Sequence, residues 1–263
     1  MKALVIKAFA PTAHFSIPHL FSQRKTFPIP MYSTAIGIIC NMLGSQERID
    51  RFLSTSFEMA IVGKYESMER EYTWLRNISK KAHFDRFKSE NIRSVVGEIE
   101  HPGGQLPAVF YTLNNFQFNI YINPSQEIMD MILDAFENPD PREIPHAGRA
   151  EDVIESLEAE MVELEERGAA AIPDPYYTWI PSPRHYAGDD EKYGEFYERV
   201  GGILFLISSV YRVVDGQRHF EKIEVKLHQG GLPLLFPGEA LIVPHHETED
   251  GDLPVFFAKV VKE

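Results

Sequence analysis

The chain has 263 residues, of which 44% are hydrophobic and 25% are charged, and its formal net charge is −13 at pH 7. Such a chain is long and apolar enough to fold around one large core or two modest ones, which excludes an intrinsically disordered protein. Its longest apolar runs are about half of the roughly 20 residues that a bilayer span needs, and its first residues lack the apolar segment of a secretory signal, so we expect a cytoplasmic protein with no membrane partner.

The negative charge is unevenly distributed along the chain. The first 46 residues contain no Asp or Glu, and residues 1–93 carry 14 Lys and Arg against 8 Asp and Glu, whereas residues 94–263 carry 12 against 31. Phosphates respond to charges within a Debye length of about 8 to 10 Å and little beyond it. The first third of the chain can therefore hold a phosphate-bearing partner although the protein as a whole is acidic.

Several kinds of site are excluded by the residue types that are missing. Cys40 is the only cysteine, so the chain has no internal disulfide and no cysteine-based metal site. The sequence also lacks a Gly-rich phosphate loop, a dinucleotide fingerprint, a nucleophile elbow and a His-Glu-x-x-His zinc motif. Residues 151–166 contain eight carboxylates, but no Gly-punctuated loop of the EF-hand type accompanies them. We therefore predict a solvated acidic face, no metal and no cofactor.

The first predicted elements are a strand, a helix and a second strand. Ala3–Ala10 has the alternation of a strand, and a Pro-rich segment follows it. The apolar spacing after Tyr32 predicts a helix, with Ser33 or Thr34 as its N-cap. Phe57–Val62 predicts the next strand.

The middle of the chain predicts three strands and a second helix. The strands are Ile92–Glu100, Ala108–Leu113 and Phe116–Ile122, and turn signals separate them at 101–104 and 114–115. A helix begins after Ser125. The order βαββα becomes a ferredoxin-like βαββαβ unit of the α+β class if a closing strand follows. Residues 151–166 have near-helical apolar spacing, but Met161–Glu166 also fits an edge strand.

The composition changes after Gly168, where small residues and prolines suggest a hinge. Gly202–Val214 and Arg218–Leu227 predict a β-hairpin, and short strands at 240–243 and 255–261 follow. We therefore predict one domain over residues 1–168 and a small β-rich domain over residues 169–263.

A basic and aromatic segment lies between these elements, in the polar excursion over residues 63–93. Its cations alternate with aromatic side chains, as in surfaces that bind single-stranded nucleic acid. They are Arg70, Arg76, Lys80, Lys81, Arg86, Lys88 and Arg93, interleaved with Tyr72, Trp74, Phe84 and Phe87.

Two parts of the chain resemble the fifth family of CRISPR-associated proteins, which belongs to the RAMP superfamily. The first runs from Pro11-Thr-Ala-His14 through Arg24–Gly37 to Asn41–Gly44, and the second is Gly148-Arg-Ala-Glu-Asp152. The match is closest to the type I-B branch. The resemblance implies an RRM-like (ferredoxin-like) domain, a β-hairpin thumb near residues 64–93 and a small β-rich C-terminal domain. It also implies a prokaryotic subunit of the type I surveillance complex, Cascade, that caps the 5′ handle of the CRISPR RNA.

The residues offer what single-stranded RNA needs, namely cations and helix N-termini for its phosphates and planar groups that stack on its bases. A carboxylate-free loop, the start of the predicted helix and the basic segment supply these groups. We therefore predict that the RNA-binding residues are His14, Arg24, Lys25, Thr26, Tyr32, Ser33, Thr34, Arg76, Lys80, Lys81, Arg86, Lys88 and Arg149.

Some of these residues have an equally simple structural interpretation. Tyr32 fits a core aromatic at the start of a helix, and His14 fits a structural loop histidine. Arg149 fits an ion pair with Glu151 or Asp152.

Two other functions compete with RNA binding alone. The type I-C branch of the same family cleaves precursor CRISPR RNA by metal-independent acid-base chemistry, and Tyr32, Lys80, Lys81 and His83 supply the residue types for it. A scaffold that contacts only protein fits the net charge but leaves the carboxylate-free N-terminus unexplained. As partners, the resemblance implies CRISPR RNA and the Cascade backbone and large subunits, and it leaves open a contact to target DNA near the protospacer-adjacent motif.

Overall fold

The computed structural model describes residues 1–18, 24–76, 84, 105–168, 171–189, 191–215, 217–232, 234 and 241–260. The helices of eight or more residues in these ranges are α1 (Tyr32–Leu43), α2 (Gln46–Leu53) and α3 (Gln126–Glu137), and a shorter helix is α4 (Tyr193–Arg199). The first strands are β1 (Lys2–Ala13), β2 (Phe15–Ser16), β3 (Thr26–Phe27), β4 (Phe57–Lys64), β5 (Ser67–Arg76), β6 (Gln105–Asn123) and β7 (Ser156–Glu163). The remaining strands are β8 (Glu165–Gly168), β9 (Tyr177–Pro181), β10 (Ile203–Val214), β11 (Gln217–Gln229), β12 (Ile242–Thr248), β13 (Gly251–Pro254) and β14 (Ala258–Val260).

Nine of the described strands form one antiparallel sheet. Seven of them follow the order β10-β11-β9-β4-β6-β1-β7, β5 pairs with the first half of β6, and β14 pairs with β4. Strands β13, β12 and β8 form a second sheet, and β2 pairs with β3. The molecule is mixed α+β and mostly sheet, which confirms the predicted class.

The main sheet is covered on both faces because its side chains alternate between them. On one face, Leu4 and Ile6 of β1 pack with Ile120 of β6 against α1 and α3. On the other face, Val5 of β1 and Tyr121 of β6 pack under the C-terminal strands. One sheet therefore supports two apolar clusters.

Helix α1 begins one residue before the predicted N-cap. Met31 is the N-cap, in extended conformation, and its carbonyl accepts from the backbone N–H groups of Thr34 and Ala35. The prediction of Ser33 or Thr34 as the N-cap was wrong. Pro30 and Met31 already lead the chain into the helix, so Ser33 and Thr34 lie in its first turn.

The predicted turn at Asn114–Asn115 is also wrong, because β6 continues through it from Gln105 to Asn123. Asn115 has φ +49°, a left-handed conformation that asparagine tolerates better than most residues. On the partner side, β4 ends at Lys64 and β5 begins at Ser67. Between them, the Glu66 N–H donates to the Asn114 carbonyl. Both sides of the hairpin therefore bend together while the pairing continues.

The acidic segment forms the closing strand rather than a helix. β7 pairs with β1 in antiparallel register from Ser156 to Glu163, and its three Glu side chains are exposed. The boundary at residue 168 stays a prediction. The main sheet crosses that boundary, since β9 pairs with β4 at Val62 and Gly63.

Two further findings concern the described residues only. None of their helices is long and apolar enough to cross a lipid bilayer. Within the same ranges, no group of three or more His, Cys, Asp or Glu is arranged to hold a metal ion.

Trp179 joins the C-terminal strands to the segment before α1, and its loss should destabilise the whole protein. It is fully buried, its Nε1 donates to the Pro30 carbonyl over 2.8 Å, and its ring meets Phe27 edge-on. Replacing Trp179 with Phe leaves that carbonyl unsatisfied and opens a cavity. We expect a loss of about 2 to 4 kcal/mol in the free energy of unfolding, measured by urea denaturation.

The other tryptophan is the matched control. Trp74 is 51% exposed, so Trp74→Phe should change the free energy of unfolding by no more than about 0.5 kcal/mol. Equal stabilities for the two variants would contradict the role given to Trp179.

Candidate nucleic-acid interface

Two segments that are far apart in the sequence, Pro11–His14 and Gly148–Asp152, meet in the structure. The His14 N–H donates to the Ala147 carbonyl over 3.1 Å, and the Thr12 hydroxyl donates to Oδ1 of Asp152 over 2.7 Å. The Ala147 N–H in turn donates to the Asp152 carbonyl. The end of β1 and the loop before β7 therefore form one unit beside the hairpin of β5 and β6.

Gly148 makes this close approach possible. Its φ is +107°, and a Cβ atom added there would lie 1.9 Å from the carbonyl oxygen of His14. No other residue type fits both the conformation and the space.

His14 is buried within this unit, with 3% of its surface exposed. Its Nδ1 lies 2.8 Å from the Tyr111 carbonyl, and its Nε2 lies 2.9 Å from the Ser16 hydroxyl. Because a carbonyl only accepts, Nδ1 carries the proton and Nε2 accepts from Ser16. Burial lowers the pKa of His14 below its ordinary value. The imidazole is therefore neutral at pH 7 and ties β1 to β6, and its contact with RNA stays a prediction.

Arg149 is held by three carboxylates, of which Glu151 lies farthest, with its Oε1 3.4 Å from Nε of Arg149. Its Nε and Nη2 donate to both oxygens of the buried Asp152 over 2.8 and 2.9 Å, and its Nη1 donates to Glu71 of β5 over 3.0 Å. These bonds raise the pKa of Arg149 above its ordinary value, with the bonds to Asp152 contributing most. The sequence analysis allowed an ion pair of Arg149 with Glu151 or Asp152, and both pairs are present. The guanidinium also lies 5.5 Å from the centre of the Phe110 ring.

The loop before α1 brings further cations to the same place. The guanidinium carbon of Arg24 lies 4.9 Å from the centre of the Phe110 ring, and the Arg24 carbonyl accepts from the Tyr111 N–H. Lys25 is exposed. Thr26 is buried, and its hydroxyl accepts from the Phe15 N–H and donates to the Phe27 carbonyl. The Phe110 ring therefore lies close to the guanidinium groups of both Arg24 and Arg149.

One face of the hairpin of β5 and β6 presents aromatic and cationic side chains to solvent. Tyr72 is 63% exposed, Trp74 is 51% exposed, and their rings are in edge contact. The Arg70 guanidinium lies 5.9 Å from the centre of the Tyr111 ring. The register places no carboxylate on this face, which we call the hairpin platform; its residues are Met68, Arg70, Tyr72, Trp74, Pro107, Val109 and Tyr111.

The acidic residues of β5 lie on the opposite face. Glu69 pairs with Thr112 and Glu71 pairs with Phe110, on the side that faces Arg149. Alternation along β5 therefore separates the charges, and a polyanion on the platform meets Arg70 without a neighbouring carboxylate on the same face.

Five predicted RNA contacts fall at the end of β5 or after it, and only the first of them, Arg76, belongs to the described residues. Arg76 is the last residue of β5, where its backbone pairs with Gln105. Lys80, Lys81, Arg86 and Lys88 lie outside the described residues, as do His83 and the strand predicted over 92–100.

The start of α1 supplies the remaining predicted residues. Ser33 and Thr34 line a groove of about 510 Å³ between α1 and the β10–β11 hairpin, where Arg142, Tyr211 and Phe220 also lie. Tyr32 is fully buried, and its hydroxyl has no hydrogen-bond partner. Burial raises the pKa of Tyr32 far above its ordinary value. Tyr32 is therefore a core aromatic residue at the start of the helix, which is the structural interpretation that the sequence also allowed.

Sequence reasoning missed Phe110, Tyr111 and Glu71 as members of this site. The contacts that reveal them join residues 78 and 97 positions apart, as in the Glu71–Arg149 and His14–Tyr111 pairs. A local signal existed for the platform, since Arg70, Tyr72 and Trp74 alternate at the period of a strand.

The comparisons with known proteins agree with the resemblance. The model of a family described as CRISPR-associated protein (Cas_Cas5) matches residues 3–106. No curated protein matches the chain.

One solved structure shares the fold, and two more distant ones are similar to the chain. A chain of a structure described as a CRISPR RNA-guided surveillance complex is 15% identical, with a TM-score of 0.52 over 88% of this chain and 91% of that one. A Cas protein is 15% identical, with a TM-score of 0.44 over 86% of this chain and 94% of that one. A CRISPR protein from Archaeoglobus fulgidus is 11% identical, with a TM-score of 0.39 over 100% of this chain and 93% of that one.

The contact between the two sequence segments can be tested at Gly148. Gly148→Ala forces a β-carbon against the His14 carbonyl in a left-handed conformation, so we expect the free energy of unfolding to fall by at least about 2 kcal/mol in urea denaturation. Gly37→Ala, on the exposed side of α1 where a Cβ meets nothing within 4 Å, should instead raise it by about 0.5 to 1 kcal/mol. A Gly148→Ala protein as stable as the wild type would refute the contact.

Proposed function

We propose that this chain, a member of the Cas5 family of CRISPR-associated proteins over residues 3–106, is a non-catalytic subunit that binds the 5′ handle of CRISPR RNA in a type I surveillance complex. Within the family we assign it to the type I-B branch. The partners that follow are the CRISPR RNA and the backbone and large subunits of Cascade.

The observation that carries this proposal is the hairpin platform. Bases of single-stranded RNA stack on aromatic rings and guanidinium groups, and every base has a face that can do so. Tyr72, Trp74 and Arg70 present such groups on one exposed, carboxylate-free strand face. In a protein of net charge −13, this local segregation is what a polyanion needs.

The hairpin itself corresponds to the thumb of the family. β5 and the first half of β6 extend from the sheet, and the basic cluster of Lys80, Lys81, Arg86 and Lys88 lies in the chain between them. We assign phosphate contacts to that cluster. The platform then forms the base of the thumb and contacts bases.

The groove at α1 is the second RNA contact in this proposal. Ser33 and Thr34 lie in the first turn of a twelve-residue helix, where backbone N–H groups favour an anion. Arg142, Glu143 and the rings of Tyr211 and Phe220 line the same groove. A handle phosphate at the helix start would place its base beside these rings.

The fold supports the finer assignment of a ferredoxin-like unit. Strands β1, β4, β6 and β7 are adjacent in the order β7-β1-β6-β4, with α1 between β1 and β4 and α3 between β6 and β7. We propose that these elements are the βαββαβ unit and that β9, β10, β11 and β14 extend its sheet, whereas β8, β12 and β13 form the second sheet.

The proposed absence of catalysis is supported by Tyr32. A general base must reach the 2′-hydroxyl and must have a pKa near the working pH. The Tyr32 hydroxyl is enclosed in the core, and burial raises its pKa far above its ordinary value. Tyr32 is therefore unsuited to the role that the endoribonuclease alternative gives it.

Incubation with labelled CRISPR repeat RNA tests the proposal directly. We expect a gel shift without cleavage, with or without EDTA, because binding needs only cations and rings. The slope of log affinity against log salt should be negative, with roughly 0.7 contributed by each phosphate contact. Cleavage that persists in EDTA and disappears in His83→Ala would establish the endoribonuclease, and the absence of any shift would favour a protein scaffold.

The platform makes a separate prediction. The double variant Tyr72→Ala, Trp74→Ala removes two stacking rings, each worth about 1 to 3 kcal/mol, so we expect the Kd for handle RNA to rise by at least about 25-fold. Leu232→Ala, at a leucine that is 50% exposed elsewhere on the surface, should leave the Kd unchanged. If the double variant binds as tightly as wild type, the platform does not contact bases.

A further inference from the structure

Strand β7 ends the main sheet, and among the described strands it pairs with β1 alone. Just beyond it, the Leu164 N–H donates to the Met1 carbonyl over 2.7 Å, and the Met1 amino group donates to the Leu164 carbonyl over 2.6 Å. Residue pairs that exchange two such bonds alternate along an antiparallel ladder with pairs that exchange none. Every second residue of β7 therefore directs its backbone N–H and C=O groups away from β1. These residues are Leu157, Ala159, Met161 and Glu163.

The two faces of this edge differ in chemistry. Leu157 and Ala159 pack against the apolar cluster on the side of the helices, and Met161 on the same face is 39% exposed. On the opposite face, the side chains of Glu158 and Glu160 are exposed. The register with β1 fixes this division, because side chains alternate along a strand. A strand added at this edge would meet apolar groups on one face and carboxylates on the other.

A groove beside the carboxylate face adds further negative charge. It has a volume of about 480 Å³ and lies between the main sheet and the turn from β12 to β13. Its lining includes Glu158, Glu247 and Glu249, which have no ion-pair partner among the described residues. These three carboxylates favour a cation that enters from the edge.

The lysines beside this groove are already paired. Lys7 pairs with Glu160, and Lys64 donates to Asp250 over 2.6 Å. These pairs leave the three carboxylates of the groove uncompensated. Because an ionised carboxylate has about four acceptor positions, Glu160 can also accept from a second cation while it pairs with Lys7.

We propose that the β7 edge binds an extended segment of another protein in which Lys or Arg residues alternate with apolar residues. The segment pairs with the outward backbone groups of β7 and lengthens the main sheet by one strand. Its cations lie on the face of Glu158 and Glu160, and its apolar residues pack beside Leu157 and Met161. This interface is distinct from the hairpin platform and does not depend on RNA binding.

The chemistry of the edge favours this occupant over two others. RNA is a polyanion that the carboxylates of β7 repel, and it lacks the backbone N–H and C=O groups that continue a sheet. A second copy paired antiparallel through β7 would bring Glu158 and Glu160 of both chains onto one face. Like charges opposite each other destabilise a sheet.

The probes are three labelled peptides of about eight residues, blocked at both ends. One alternates Val and Lys, one has the same composition with all Val before all Lys, and one alternates Val and Glu. We expect the full-length protein to bind the alternating Val/Lys peptide with a Kd below about 1 mM and at least about tenfold more tightly than either other peptide, measured by fluorescence anisotropy. The second peptide carries the same charge but cannot place its cations on one face.

Hydrogen exchange locates the bound peptide. Binding should slow the exchange of the four outward amides, and the intervening amides, which already donate to β1, should not change. Slow exchange of the outward amides in the peptide-free protein would overturn the proposal, because another part of the same chain would then cover the edge.

Met161→Pro tests the backbone pairing. It removes an outward N–H group that the pairing with β1 does not use, so the fold should tolerate it, as judged by circular dichroism, while peptide binding is lost. Met161→Ala keeps that N–H group and should weaken binding by no more than about threefold. A folded Met161→Pro protein that binds like the wild type would contradict strand addition.

A pair of double variants tests the charges. Glu158→Gln, Glu160→Gln should reduce the preference for the alternating Val/Lys peptide over the Val/Glu peptide by at least about fivefold. Glu47→Gln, Glu198→Gln, at exposed positions on α2 and α4, changes the net charge equally and should leave the preference intact. Binding of CRISPR repeat RNA should be unchanged in both. Equal losses in both double variants, equal affinity for the two Val/Lys peptides or no binding at about 1 mM would overturn the proposal.

Discussion

The continuity of β6 is the constraint on which the rest of the structure depends. Its second half lies in the middle of the main sheet between β1 and β4, and its first half is one side of the projecting hairpin. Because Asn115 bends the strand without ending it, the hairpin is hydrogen-bonded directly onto the core. His14 and Arg149 then fix its base from one side, through the Tyr111 carbonyl and Glu71. The orientation of the platform is therefore set by the sheet and not by a loose connection.

An acidic protein can present a surface for a polyanion because alternation along a strand separates charges that are adjacent in sequence. Glu69, Arg70, Glu71 and Tyr72 follow one another, yet the pairing with β6 places the two carboxylates on one face and Arg70 and Tyr72 on the other. Glu71 is then used to hold Arg149. The same carboxylate therefore lies away from the hairpin platform and stabilises the base of the hairpin. Net charge alone conceals this arrangement, since screening confines the effect of each charge to about 8 to 10 Å.

Periodicity in the sequence predicted the elements whose signal is local. The strand at Ala3–Ala10, the helix after Tyr32 and the hairpin at β10 and β11 are present where the apolar spacing placed them. The errors concern features that depend on the three-dimensional partner. Asn115 has the composition of a turn, but the pairing of β6 with β4 and β5 overrides it. The partners of Arg149 and the burial of Tyr32 are set by contacts across the chain, and no spacing within either segment could show them.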